Sequence, residues 1–380
     1  MTRTASQTTS TDLFAALLRG EAIAWSAFEM PVEEFLRTCN DESVTGLICE
    51  RLRSSKDGSE WPRNIREALA SEVRALAAGE LLHHQELTSV VDVLEAHGLS
   101  PIFMKGTALA YSLYDTPSSR PRIDTDLFIR RDQADPIRHA MEGLGYTAPP
   151  YCQGDWLFCQ FPLVKTAAFG VEHRFDCHWK ISTQSTFADV LTFDEIADRT
   201  IALPALGTSA RTLAPLDALL LACIHPVMHH RSAESLIWLY DIHLLASSLS
   251  APEFERFAEM ANAKRVSAIC AHQLTAAKTR LGTRIPDAVI RDMTVGRKRE
   301  LSAVYLRPNR RWLDELTSNL WSLPRWSDRL QLLREVALPD AAYMLRHYGL
   351  EKSHLGVALL PLFYVHRLLF GGWKLVVGRK

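Results

Sequence analysis

No CxxC pair, Walker loop, GxSxG turn or HRD followed by DFG occurs in the 380 residues. Their absence removes zinc ribbons, P-loop nucleotide chemistry, α/β-hydrolase acyl transfer and protein-kinase catalysis from consideration. Seven cysteines (Cys39, Cys49, Cys152, Cys159, Cys177, Cys223 and Cys270) are odd in number and scattered. They exclude a disulfide framework and read as buried or free thiols in a reducing compartment. Neither sign of charge dominates: 43 Lys and Arg face 44 Asp and Glu, for a formal net charge of −1. The whole-chain field therefore gives no argument for a nucleic-acid or membrane partner, although a local basic patch stays open. The opening MTRTASQTTSTD has no apolar core for a secretion signal, so a cytoplasmic protein is expected. A spanning helix needs about 20 apolar residues free of central charge. The most apolar stretch, 355–377, is interrupted by Pro361, His366, Arg367, Gly371, Gly372 and Lys374. It reads as a packed or amphipathic helical tail, with contact to a membrane surface as the lesser alternative and no integral membrane association.

What is present is an ordinary globular composition, 47% hydrophobic and 23% charged, long enough for two or three units around a common core. The first ten residues are polar and expected to lack fixed structure. Helical spacing runs over 11–49, with Leu13, Leu17 and Leu18 on one face, and again over 64–97 (Leu69, Val73, Leu76, Leu81, Leu82). Gly98 suits the position after a helix end. A short apolar strand follows at 102–104, then a turn at Lys105 and Gly106, a helix over 107–114, a loop, and a strand carrying Asp124 and Asp126. A further helix is predicted over 135–144, ended by Gly145. β-formers follow at 156–161 and 171–181, and helices return at 215–230, 232–247 and 252–281. No 20–50-residue period repeats. The fold class is thus α+β: a helical region over 1–84, a small mixed sheet over 85–210, and a larger helical part over 211–380.

The chemistry concentrates at 101–131. Asp124 and Asp126 are one residue apart on a strand, so they point to the same face. Two carboxylates held that close repel unless a cation lies between them, and hard oxygen ligands suit Mg²⁺. Solvated acids paired to Arg120 and Arg122 are the plainer alternative. A third carboxylate, Asp176, lies on the polar face of VEHRFDCHWKI together with Glu172, Arg174 and His178. Three carboxylates on one sheet face match a two-ion site, and Asp176 is also a possible general base. Upstream, a helix N-terminus with Lys105, Gly106 and Thr107 suits phosphate, and Arg120 and Arg122 could grip phosphate oxygens or pair at the surface. His178 could orient Asp176, contact a nucleotide, or simply be a half-buried strand histidine. His225 and His229, four apart on a helix with Asp241 downstream, could hold Zn²⁺, contact a nucleotide or pack. Trp238 and Tyr240 read as core aromatics.

The order of strand, Gly-containing turn, helix, strand with two alternating Asp and later strand with one Asp resembles the nucleotidyltransferase fold shared with DNA polymerase β. More narrowly, MKGTALAYSLY, RPRIDTDLFI, RFDCHWKIS and LLLACIHPVMHHRSAESLIWLYDIHLL resemble an uncharacterised bacterial nucleotidyltransferase family over residues 80–250. In that family a Lys-Gly turn replaces the usual Gly-Ser. The resemblance implies transfer of an NMP from an NTP, with release of pyrophosphate, to an unidentified small molecule, peptide or RNA. Asp124, Asp126 and Asp176 would hold two Mg²⁺ or Mn²⁺ ions, and Lys105, Gly106 and Thr107 the phosphates. A toxin-type enzyme acting on tRNA or protein, and a non-catalytic nucleotide- or peptide-binding accessory, are the rival expectations.

Overall fold

The computed structural model describes residues 5–55, 57–148, 156, 159–229, 235–295, 300–350 and 354–377. The expected arrangement is found: a mixed sheet between a helical N-terminal region and a larger helical C-terminal one. Three helices open the chain, α1 (Ala5–Leu18), α2 (Val32–Asp41) and α3 (Thr45–Ser54). Helix structure thus begins at Ala5, inside the segment expected to lack it. Then comes α4 (Arg63–Ala96), 34 residues and about 50 Å long. Gly98 follows in the left-handed conformation (φ 69°) and lets the chain turn at once into β1 (Ile102–Met104).

The sheet region continues with α5 (Lys105–Ser112), β2 (Thr125–Phe128), α6 (Ala134–Gly143), β3 (Gln160–Thr166) and β4 (Glu172–His178). Short helices α7 (Ser185–Ala188) and α8 (Phe193–Ile196) precede the two-residue strands β5 (Ile201–Ala202) and β6 (Arg211–Thr212). The strand expected over 156–161 lies later, at 160–166. Its residues 157 and 158 fall outside the described part, and the alternation of β3 is set by pairing along the whole of β4. The six strands run in the order β3-β4-β2-β1-β6-β5. The C-terminal part is α9 (Pro215–His229), α10 (Leu236–Ser247), α11 (Ala251–Ala263), α12 (Ser267–Leu281) and α13 (Asp287–Thr294). It ends in α14 (Trp312–Ser322), α15 (Trp326–Ala337), α16 (Ala341–His347) and α17 (His354–Val377). The run expected as one helix over 252–281 is two, broken where Arg265 adopts φ 57°.

Two hydrophobic clusters use opposite faces of the sheet. On one side Phe103, Leu127, Phe161, Phe175 and Cys177 pack against Val90, Leu94 and Met141 of α4 and α6. On the other, Ile102, Met104 and Phe128 join a larger cluster that runs from Phe14 and Phe35 to Leu219, Ile224, Ile242 and Leu274. The second face is therefore roofed by α9 and α10, and it is here that the polar residues of β2 and β4 emerge. Cys39, Cys49, Cys159, Cys177, Cys223 and Cys270 are free and buried, as their spacing suggested, while Cys152 lies outside the described residues.

Candidate active site

β2 and β4 are parallel and in register, with Asp126 opposite Asp176 and Phe128 opposite His178. Residues opposite one another on neighbouring strands share a face, and the period of two puts His178 beside Asp176. Thr125, Leu127, Phe175 and Cys177 occupy the other face and are fully buried. Asp124, Asp126, Asp176 and His178 all line one cavity of about 460 Å³. Its remaining walls come from the start of α5, from Thr212 and Leu213, and from Leu221, His225, Ile237 and Trp238 of α9 and α10. One end is acidic and the other largely apolar.

Asp126 is the electrostatic hub. Its Oδ1 accepts from Lys105 Nζ at 2.7 Å and from His178 Nε2 at 2.8 Å. Burial alone would raise this carboxyl. The Lys105 charge and the His178 hydrogen bond outweigh it and hold Asp126 well below the usual carboxylate range. An ionised carboxylate only accepts, so Nε2 of His178 carries the proton. Burial, joined by the Lys105 charge, pushes His178 down and keeps it neutral. Asp124 and Asp176 behave in the opposite way. Among the described residues neither carboxylate accepts a hydrogen bond, and burial together with repulsion from Asp126 raises both to about 6. Three carboxylates, one lysine and a neutral histidine leave an excess of two negative charges, which a divalent cation would cancel.

The turn that begins α5 is strained at an unexpected residue. Lys105 itself has φ 55°, left-handed backbone that costs a side chain about 1–2 kcal/mol, whereas Gly106 does not require its missing side chain. A Cβ at Gly106 would meet Arg122 at an ordinary 3.5 Å. The strain brings the Lys105 ammonium back over β2, where it meets Asp126. Helix α5 starts two residues earlier than expected and has no side-chain cap, and its first residues, Lys105 and Gly106, line the cavity. Thr107 is 1% exposed, with its hydroxyl 3.0 Å from Thr125 Oγ1 and accepting from Arg122 Nε at 3.0 Å.

Arg120 and Arg122 border the cavity, but their guanidinium groups are engaged by protein acids. Arg120 pairs with both oxygens of Asp241, at 2.9 Å and 2.8 Å, and Tyr114 donates to the same carboxylate. Arg122 makes a two-pronged pair with Glu80, at 2.8 and 2.7 Å, which also accepts from Tyr111. These pairs fasten the segment leading into β2 to α10 on one side and α4 on the other. Sequence reading did not find Glu80, 42 residues from its partner. The signal available was Arg-x-Arg beside a metal-type strand, which needs counter-charges, and a polar patch (Glu80, His83, His84, Glu86) on an otherwise amphipathic helix. His225 lies on the cavity wall, edge-on to Trp238 with ring centroids 5.4 Å apart. The side chain of His229 lies outside the described residues, and Asp241 is taken by Arg120.

The model of an uncharacterised nucleotidyltransferase family matches residues 29–282. The chain belongs to that family. No curated protein matches it. The family makes the chain a nucleotidyltransferase and a nucleotide its substrate class. Among the described residues, Asp126, Asp176 and His178 form the group whose ligand atoms all lie within 4.8 Å of one another. The donor set fits a divalent cation: a hydrogen-bond-free carboxylate on Asp176 and a second acid, Asp126, already held in place by Lys105 and His178, while Asp124 lines the same cavity outside that group.

Proposed function

We infer that the chain is a metal-dependent nucleotidyltransferase in which an acceptor oxygen attacks the α-phosphorus of an NTP. The new bond joins the acceptor oxygen to that phosphorus. The bond to the β-phosphate bridge breaks, and pyrophosphate leaves with the electron pair. A bound Mg²⁺ or Mn²⁺ supplies charge neutralisation for the transferring phosphate, and a second ion would arrive with the triphosphate. Asp124, Asp126 and Asp176 would hold the cation. Asp176, on the strand next to Asp126, is also placed to take the proton of the attacking hydroxyl. Lys105 and His178 keep Asp126 ionised and oriented. The β- and γ-phosphates would rest on the first amides of α5 around Gly106 and Thr107. Arg120 and Arg122 would contribute chiefly by fixing the lead into β2. Residues 85–210 would form the catalytic unit, with α9 and α10 closing the cleft over the nucleotide.

The in-register pairing of Asp126 with Asp176 on the wall of the 460 Å³ cavity carries this reading. Most of the rate would then come from positioning and charge, as phosphoryl chemistry asks little covalent help. The test is incubation with each α-labelled NTP and Mg²⁺ or Mn²⁺, with acceptors supplied from fractionated extract. Label should pass to one acceptor class with stoichiometric pyrophosphate. Transfer that persists in Asp124→Asn/Asp126→Asn refutes the metal assignment, and binding of nucleotide without product favours the accessory reading.

A further inference from the structure

The C-terminal helices carry a surface that the cavity chemistry does not use. Residues 301–380 contain twelve Lys and Arg against six Asp and Glu, leaving 31 against 38 in the rest of the chain. The near-zero total hides a basic C-terminal part on an acidic body. The inner face of α17 packs on α15 and α16. Tyr364 donates to the Pro339 carbonyl at 2.6 Å and Arg367 to that of Val336 at 3.3 Å. The outer face is apolar: Val357, Leu362, Val365, Leu368 and Leu369 are 49–69% exposed. At 100° per residue these five fall within one arc of about 140°. Nothing in the described chain covers them.

Neighbouring helices repeat the pattern with charge added. On α15, Trp326 and Leu330 are 70% and 64% exposed, and Leu333 continues their stripe. The Arg329 guanidinium lies 4.8 and 4.9 Å from the rings of Trp321 and Trp326. Exposed arginines sit next to exposed apolar residues in sequence: Arg311 beside Trp312, Arg325 beside Trp326, Arg334 beside Leu333. No described helix is long and apolar enough to cross a membrane. Exposed Trp and Leu among cations, on helices that cannot span, fit the interfacial zone of an anionic bilayer. A second copy of the chain fits less well, because it would set one basic C-terminal part against another.

We propose that α17 and the Trp326 stripe of α15 dock this protein on an anionic lipid surface, with the helices lying in the headgroup plane. The full chain is mixed with vesicles of phosphatidylcholine alone or with about one-third phosphatidylglycerol, and the bound fraction is read by co-sedimentation. Binding should be confined to the anionic vesicles and fall steeply at about 0.5 M NaCl, where charge is screened within a few ångströms. The exposed pair Leu362→Gln/Leu369→Gln should weaken partition at least about tenfold while far-UV circular dichroism stays unchanged. Absence of binding overturns the proposal, as does equal, salt-insensitive binding to neutral vesicles. A lipid-independent dimer that the same substitutions dissolve would assign the face to a second copy instead.

Discussion

Replacing Asp176 with Asn should make the metal-free protein more stable while removing its nucleotidyl transfer. The carboxyl of Asp176 is raised from the ordinary 3.8 to about 6, first by burial and then by the charge of Asp126. At about 1.4 kcal/mol per pKa unit, keeping it ionised at neutral pH costs the folded state about 3 kcal/mol. The amide does not titrate, and part of the cost remains as desolvation of its own dipole, so a gain of about 1–3 kcal/mol is expected. For a chain of this length that corresponds to a melting-point rise of a few degrees at most, so urea unfolding in chelator is the better assay. The sign with pH follows from linkage. The native carboxyl binds a proton that the unfolded one has lost between pH 3.8 and about 6. Stability from this site therefore falls as pH rises through that window. The variant-minus-wild-type difference should grow from near zero at the acid end to its full value above about pH 6. Added Mg²⁺ should stabilise the wild type, by about 2.7 kcal/mol at a hundredfold excess over Kd, and the variant far less. A variant that unfolds more readily than wild type in chelator at neutral pH would refute the reasoning, because Asp176 would then be a net structural support.

Lys105 should separate charge from backbone strain. Lys105→Met leaves Asp126 buried without its cation, at a cost of about 3 kcal/mol or more, and Lys105→Gly should lose about 1 kcal/mol less because the left-handed φ of 55° is released, as read by urea midpoints. Arg120→Ala should cost about 3–5 kcal/mol by stranding Asp241. In a double-mutant cycle with Asp241→Asn the losses should be far from additive, and additive losses would show that the pair is not coupled. His83, lowered to about 4 by burial and then by the Arg122 charge, supports the fold fully above about pH 6.5 and progressively loses that support toward pH 4. This opposes the aspartate slope, and His83→Gln should flatten the acid limb of the stability profile by up to roughly 3 kcal/mol. Phe175→Ala, in the cluster behind the acids, should cost about 3–5 kcal/mol and unfold β4 first in hydrogen exchange.

Local pattern carried much of this site in advance. The alternation of Glu172, Arg174, Asp176 and His178 follows from the period of a strand and needed no tertiary knowledge, whereas Asp124, expected on the strand with Asp126, lies one residue ahead of β2 and lines the same cavity. Gly98 and Gly145 marked their helix ends because both adopt positive φ. Partner choice was not legible. Arg120 meets Asp241 across 121 residues and Arg122 meets Glu80 across 42, and only the packing of α10 and α4 against the sheet decides this. The two-residue strands β5 and β6 are too short to show any period. Lys105 was readable as a cation at the turn that begins α5. Its engagement with Asp126 depends on a backbone conformation that non-glycine residues seldom take, so nothing in its identity announced it.

The parallel pairing of β2 and β4 makes the stretch between Phe128 and Glu172 a spacer whose length leaves the meeting of Asp126 and Asp176 unchanged. Residues inserted into its connecting segments would lengthen the return path and leave the acids side by side. Removing one residue from within β4, ahead of Asp176, would exchange its two sides, sending Asp176 toward α4 and bringing Phe175 or Cys177 into the cleft. The site thus depends less on the length of the connecting segments than on the count of residues within β4, a strand of seven.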